Sequence, residues 1–295
     1  MTRPTIVAEI GCNHKGDVDI AKEMIKMAAV FCKADYVKFQ KRANKELLPA
    51  EQYNAPHPNP MHSYGDTYGA HREYLEFTPE IHRELQAVCA DFGIGYSTSV
   101  WEVTSAREMA ALAPDHLKIP SATNTNVEVL TYLCDHFGGE IHVSLGMTTR
   151  AEEEALVHLF QERGRAHDLV LYACTSGYPV PFEDVHLYEV TRLRETYGDA
   201  VRAIGFSGHH LGIAVDMAAV TLGAQWIERH FTLDRTWKGT DHAASLEPDG
   251  LRRLVRDAGA VTTALTHQPA AILEIEKPQR EKLKWTTPPT TASTP

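Results

Sequence analysis

Apolar positions along this chain follow two alternating rhythms. Short runs rich in Val, Ile, Tyr and Phe, bounded by turn residues, read as buried strands. Longer stretches with apolar residues three and four apart read as helices. Residues 5–9 predict the first strand and 18–30 the helix behind it. Residues 36–40 predict the second strand, followed by a long loop over 41–77 and a helix over 79–91. The pattern repeats as strand 95–98 and helix 102–111, then strand 116–120 and a helix from Asn126. It continues as strand 140–144 with helix 151–164, and strand 169–175 with helix 185–197. Strand 202–207 with helix 213–222 and strand 225–231 with helix 248–266 complete the series.

Eight such alternations in about 265 residues predict a closed (β/α)8 TIM barrel. A doubly wound open sheet would place a Gly-rich phosphate loop after the first strand. The segment Glu9-Ile10-Gly11-Cys12-Asn13-His14-Lys15-Gly16 matches neither glycine-loop pattern. The barrel accounts for residues 1–270. Residues 271–295 form a C-terminal extension whose Thr- and Pro-rich end, from Thr286 to Pro295, has linker or disordered composition.

In a barrel of this class the active site is built at the carboxyl ends of the strands. Those ends carry Glu9, then Lys38 and Gln40, then Thr98, then Lys118 and Ser121. They continue with Ser144, Ser176 and Tyr178, Ser207 and His209, and finally Glu228 and His230. Taken singly, a Ser or Thr here is as readily a helix cap, and a Lys a solvated rim charge. Lys38 and Lys118, however, lie inside the apolar runs Tyr-Val-Lys-Phe-Gln and His-Leu-Lys-Ile-Pro. A lysine directed into a barrel is costly unless an anion pairs with it. Two lysines and several hydroxyls at one mouth suit a phosphate plus a carboxylate. His209 and His230 end neighbouring strands; each reads alone as a structural histidine, and together as two ligands of a divalent Lewis acid. The loop 41–77, with His57, His62, His71, Tyr64, Tyr68 and Tyr74, reads as a lid or as a solvated excursion.

Charge and cysteine content narrow the setting. The 295 residues are 43% hydrophobic and 23% charged, a globular composition, with a formal net charge of −10. That charge repels a nucleic-acid backbone. The five cysteines are odd in number and lack C-x-x-C spacing, which argues against a disulfide framework or structural zinc and fits the cytoplasm. No apolar run follows Met1-Thr2-Arg3-Pro4, so no signal peptide is predicted, and no stretch is long enough to span a membrane.

The ordered motifs resemble the N-acetylneuraminate (sialic acid) synthase family over about residues 5 to 265. They are Glu9-Ile10-Gly11-x-Asn13-His14-x-Gly16, Val37-Lys38-x-Gln40, Ser97-Thr98, Lys118-x-x-Ser121 and Ser144-x-Gly146-Met147. After these come Cys174-Thr175-Ser176-x-Tyr178-Pro179, Ser207-x-His209, Ile227-Glu228-Arg229-His230-Phe231-Thr232 and Gly239-x-Asp241-His242. The resemblance implies condensation of phosphoenolpyruvate with the open-chain aldehyde of an N-acylated amino sugar. It implies a divalent metal, Mn²⁺ before Mg²⁺ or Co²⁺, held by His209 and His230. It further implies that Lys38, Thr98, Lys118, Ser121, Ser144, Ser176 and Ser207 grip phosphoenolpyruvate. Gln40, Tyr178 and Asp241 would face the sugar, and Glu9, Lys38, Lys118 and His230 would take part in the chemistry. A homodimer is the assembly it suggests.

The chain departs from the family pattern at Ala122-Thr123, where Gly-Glu is usual, at Gly208, where Asp is usual, and at Ser176, which is Asn in some members. Bacterial members typically continue into an antifreeze-like domain that supplies an Arg to the partner's sugar site. Here the sequence turns to Thr and Pro near that point, and an acceptor other than N-acetylmannosamine is the expectation. The competing readings are condensation with a non-acylated or phosphorylated aldose giving another 3-deoxy-ulosonic acid, a 2-keto acid aldolase, and a non-catalytic barrel that binds sugar or phosphate.

Overall fold

The structure, a computed structural model, describes residues 2–285. The expected disorder at 286–295 lies outside the described residues. Eight strands run parallel in sequence order: β1 (Thr5–Gly11), β2 (Tyr36–Lys41), β3 (Gly95–Val100) and β4 (His116–Ile119), then β5 (Glu140–Ser144), β6 (Leu169–Cys174), β7 (Ala203–Gly208) and β8 (Trp226–His230). Each pairs with the next and β8 closes on β1, so the molecule is a (β/α)8 barrel.

Alternation along the strands explains the closure. Outward residues such as Ile6, Ala8, Val37, Phe39, Leu117, Ile141, Leu171, Phe206 and Ile227 are buried in one continuous core. They meet apolar helix positions including Met24, Leu85, Met109, Leu133, Phe160 and Leu254. Sheet and helix stripe thus each bury the face that their period sets aside. The inward positions are different. Near the amino ends of the strands, His116 and His142 stack with ring centroids 4.0 Å apart, and Trp226 meets both edge-on. Burial drives both histidines well below their ordinary pKa, so they act as neutral packing groups. This aromatic layer floors the carboxyl-end half of the barrel.

The helices begin on residues suited to capping. Asp17, Thr78, Glu102, Asn126 and Thr149 accept hydrogen bonds from the first free backbone N–H groups of their helices. The 41–77 segment is more ordered than its sequence suggests, with helices Asn44–Leu47, Ala50–Asn54 and Tyr68–Tyr74. Helices this short show no legible period. They are held by contacts distant in sequence, such as the Tyr53 hydroxyl donating to Glu73 at 3.1 Å. Helix Val18–Lys26 continues as a π-helical turn over Met27–Cys32. Beyond the barrel, helix Lys277–Leu283 buries none of its residues.

A buried ion pair ties β8 to the helix Ala214–Thr221. Arg229 and Asp216 have no exposed side-chain surface. The guanidinium also donates to the carbonyls of His210 at 2.6 Å and Gly212 at 2.8 Å. Removing one partner strands a buried charge, so Asp216→Ala is expected to cost about 3–5 kcal/mol. Urea unfolding checks this; a loss under about 1 kcal/mol would show that the carbonyls alone satisfy Arg229.

Candidate active site

Period 2 aims alternate side chains into the barrel. At the carboxyl end these are Glu9, Lys38, Gln40, Ser99, Lys118, Ser144, Cys174, Ser207, Glu228 and His230. All ten line one cavity of about 360 Å³, to which the following loops add Trp101, Ser121, Met147, Ser176, Tyr178 and His209, among others.

The cavity rests on four buried charges. The Lys38 ammonium lies 2.5 Å from Glu9 and 3.8 Å from Glu228, and donates to Ser99 Oγ at 2.7 Å. Lys118 donates to both Glu228 oxygens at 2.9 Å and sits 3.7 Å above the Tyr172 ring. Ser207 donates to Glu228 at 3.2 Å and Gln40 to Glu9 at 3.0 Å. Burial raises the Glu9 carboxyl, and the Lys38 charge offsets this only in part. Burial pushes Glu228 the same way, but Lys118 and Lys38 outweigh it and hold that carboxyl well below its usual range. Burial opposes the charge on both lysines. The two carboxylates overcome this at Lys38, which is raised, whereas Lys118, also repelled by Lys38, is lowered. Two like pairs in one pocket therefore behave differently, the arrangement expected where acid, base and charge-holding roles are divided.

Above the charges lies a group of hydroxyls. Ser121 Oγ accepts from the Gly146 N–H at 3.1 Å. A Cβ on Gly146 would lie 2.5 Å from Ser176 Oγ and 2.7 Å from Ser121 Oγ, so a side chain there would crowd both. The capping alternative for the serines does not hold: the caps found are other residues, and Ser121, Ser144, Ser176 and Ser207 all face the cavity.

His209 and His230 lie side by side at the mouth, their rings tilted with centroids 5.4 Å apart, and the Tyr178 ring is 4.4 Å from His209. The Nδ1 of His209 is 2.9 Å from the Thr175 carbonyl, which orients Nε2 away from it. His230 Nδ1 is buried without a hydrogen-bond partner, and burial lowers this residue to about pKa 4, leaving it neutral. A neutral imidazole is the form that ligates a metal, and a carbonyl that fixes one ring nitrogen, as at His209, orients the other. Burial also opposes charge on His209, but its bond to the Cys174 thiol outweighs that and raises it, so a cation there competes with a proton. Among the described residues no three His, Cys, Asp or Glu side chains form a complete cage. The two histidines would supply two donors to a divalent cation, and water or substrate would have to supply the rest.

Two predicted residues fall elsewhere. Thr98 is fully buried, its hydroxyl lacks a partner, and it lies outside the cavity lining. On β3 it alternates with Ser97 and Ser99, and Ser99 is the residue that reaches the lumen. In the run Ser97-Thr98-Ser99 every residue is small and polar, so composition cannot set the phase; pairing with β2 sets it. Asp241 sits outside the lining in the loop after β8, near enough to act electrostatically on His230 and Tyr178. Glu228 and Cys174 line the cavity although the sequence assigns neither a role. Glu228 is two residues before His230, so it faces the same way, and that spacing is the available signal. The loop 41–77 contributes nothing to the lining. Its Tyr64 hydroxyl donates to the Lys238 carbonyl at 2.5 Å, so it buttresses the loop after β8.

Comparison with known proteins bears on the family and the fold. The NeuB family model matches residues 24–269. N-acetylneuraminate-9-phosphate synthase of Homo sapiens is 37% identical over 278 residues, covering 94% of this chain and 76% of that protein. N,N'-diacetyllegionaminic acid synthase of Campylobacter jejuni is 33% identical over 266 residues, covering 90% and 78%. Among solved structures, N-acetylneuraminic acid (sialic acid) synthetase from Leptospira borgpetersenii, in complex with citrate, superposes with a TM-score of 0.80. That match is at 27% identity and covers 97% of this chain and 94% of the other. With the family model spanning most of the barrel and these relatives aligned along nearly its whole length, the chain belongs to the NeuB family.

Proposed function

We propose that this protein condenses phosphoenolpyruvate with the open-chain aldehyde of an N-acylhexosamine-like sugar, giving a sialic-acid-like nonulosonic acid and inorganic phosphate. Family membership makes it a carbon–carbon bond-forming synthase of the transferase type. The observation that carries the fuller reading is one cavity holding two buried lysines, a cluster of serine hydroxyls and two neighbouring histidines.

Phosphoenolpyruvate presents a phosphate and a carboxylate, and Lys38, Lys118, Ser121, Ser144, Ser176 and Ser207 supply donors for both. Ser99 takes the place expected of Thr98. Gln40 and Tyr178, with Asp241 at the rim, are assigned to the sugar. When bound, a divalent cation, Mn²⁺ or else Mg²⁺ or Co²⁺, would polarise the aldehyde oxygen, and His209 and His230 are the residues that would hold it.

The C3 carbon of the enol attacks the aldehyde carbon and a C–C bond forms. The aldehyde oxygen gains a proton. Water adds at C2 and loses one proton; the C2 hydroxyl then gives its remaining proton to the departing phosphate as the C2–O(phosphate) bond breaks, leaving the C2 ketone and inorganic phosphate. Glu9 is the carboxylate whose proton affinity burial raises, offset in part by Lys38, so it is the group assigned to exchange a proton with the new hydroxyl. Glu228 stays ionised and holds both lysines in place. Binding both reactants in one small cavity removes much of the entropic part of the barrier.

Phosphate release from phosphoenolpyruvate with Mn²⁺, across a panel of aldoses including N-acetylmannosamine, tests the reaction. Release should require an aldose, stop with a chelator and be lost in His230→Ala; release without an aldose, or none with any, would overturn the proposal. Glu9→Gln should lower kcat about 10²- to 10⁴-fold with a much smaller change in the KM for phosphoenolpyruvate. Lys38→Met should raise that KM and cost about 3–5 kcal/mol of stability, because it leaves the buried Glu9 carboxylate without its ion partner. The double variant Lys38→Met with Glu9→Gln should recover part of the stability and none of the activity, as thermal melting and the same assay would show.

A further inference from the structure

His209 and His230 are held in different ways. His230 belongs to β8 and stands in register with Glu9 of β1. The pairing of β7 with β8 ends at Gly208 opposite Arg229, so His209 lies one residue past the last pair, where the sheet gives way to a loop. Its distance from His230 must therefore be set by side chains.

A buried cluster stands at that point. Alternation turns Arg229 away from the lumen, between the inward Glu228 and His230. Its guanidinium reaches the loop after β7, where it donates to the carbonyls of His210 and Gly212 and pairs with Asp216. The His210 ring completes the cluster, with Nε2 2.9 Å from the guanidinium and 3.2 Å from the Asp216 carboxylate. From the other side, the Thr175 carbonyl meets His209 Nδ1 at 2.9 Å, and the Val180 N–H donates to the His209 carbonyl at 3.0 Å. His209 is thus held from the β6 loop directly and from β8 through its neighbour.

Two features separate this cluster from ordinary packing. His210 Nδ1, Asp216 Oδ1 and Arg229 Nε are all buried without hydrogen-bond partners. A buried ionic cluster with unsatisfied atoms is a weaker source of stability than apolar side chains of the same volume, whereas it does impose one geometry. The His210 ring also fills the space beside Gly208, where a Cβ would lie 2.8 Å from its Cε1 and 2.9 Å from its Nδ1. Wedged between Gly208 and Asp216, the ring sets where the loop backbone can lie.

We propose that His210 is a positioning residue. Through Asp216 and Arg229 it fixes the loop after β7 so that His209 presents Nε2 beside His230 to a divalent cation. This rests on the metal-assisted condensation reading, although His210 itself lies outside the cavity lining.

Two variants test the role. His210→Leu keeps bulk and removes both ring nitrogens. His210→Gln keeps an amide that can donate to Asp216 or accept from Arg229. The first readout needs no metal. A carbonyl only accepts, so in wild type the neutral His209 ring carries its proton on Nδ1. Side-chain ¹⁵N NMR at alkaline pH, with His209→Gln to assign the signal, should show that single tautomer in wild type and in His210→Gln, and a mixture in His210→Leu. The second readout is calorimetric binding of Mn²⁺ without substrates, which should weaken about 10- to 100-fold in His210→Leu and stay near wild type in His210→Gln. Phosphate release by His210→Leu should recover at saturating Mn²⁺, which a damaged fold would not allow. An unchanged His209 tautomer in His210→Leu would overturn the proposal, as would a His210→Gln variant no better than His210→Leu. A wild type that binds no Mn²⁺ while its His209 tautomer still depends on His210 would uphold the positioning role and remove the metal-assisted reading instead.

Discussion

Four opposite charges buried inside the barrel mouth are the constraint on which the rest of this site depends. Lys38, Lys118, Glu9 and Glu228 are each almost wholly removed from water. None is tolerable there alone, because desolvating one ion costs several kcal/mol. Together they are neutral, and every member contacts another. The closed sheet makes this possible. Register sets Glu9 beside Lys38 and beside His230, and Ser207 beside Glu228. A slip of one residue in any of these strands would send a charge into the apolar helix layer.

On the proposed reading, the same quartet accounts for how a neutral pocket would receive a highly charged substrate. In the unliganded arrangement the carboxylates hold the lysines in position. A phosphate and carboxylate entering there would find donors already oriented, so little reorganisation would be needed at the moment of reaction. The split between a raised Glu9 and a depressed Glu228 follows from their unequal shares of lysine contact. Below, the stacked His116 and His142 with Trp226 and Tyr172 seal the floor, and the Tyr172 ring supports Lys118 from beneath. The chemistry is therefore confined to the upper half of the barrel, open only through the loops.

Those loops differ in how they are held. The β6 loop carries Ser176 and Tyr178 and is pinned by the Val180 N–H donating to the His209 carbonyl at 3.0 Å. The loop after β8 is braced by the 41–77 segment, through Tyr64 against Lys238, and by Lys15 stacked on Trp237 at 3.9 Å. Of the residues proposed to face the sugar, Tyr178 and Asp241 thus sit on loops held by long-range contacts, whereas most of those proposed to grip phosphoenolpyruvate sit on the barrel strands. That division fits a family whose members are named for different sugar-acid products on one fold.

The eight-fold alternation of strand and helix was legible from the chain alone, because burial on one face imposes a period that composition cannot hide. The inward lysines were legible too: a charge within an apolar run is tolerable only where it meets an opposite charge or water. Sequence spacing likewise placed His209 and His230 at neighbouring strand ends. What it left open was phase and partnership. Nothing in Ser97-Thr98-Ser99 says which hydroxyl faces inward, and only pairing with β2 turns Ser99 to the lumen and Thr98 away from it. Glu228 gained its meaning from Lys118, 110 positions earlier. The short helices of 41–77 arise the same way, from contacts between segments far apart in the chain. Period is a local property that each strand or helix carries by itself, whereas register and electrostatic partnership exist only once distant segments are brought together.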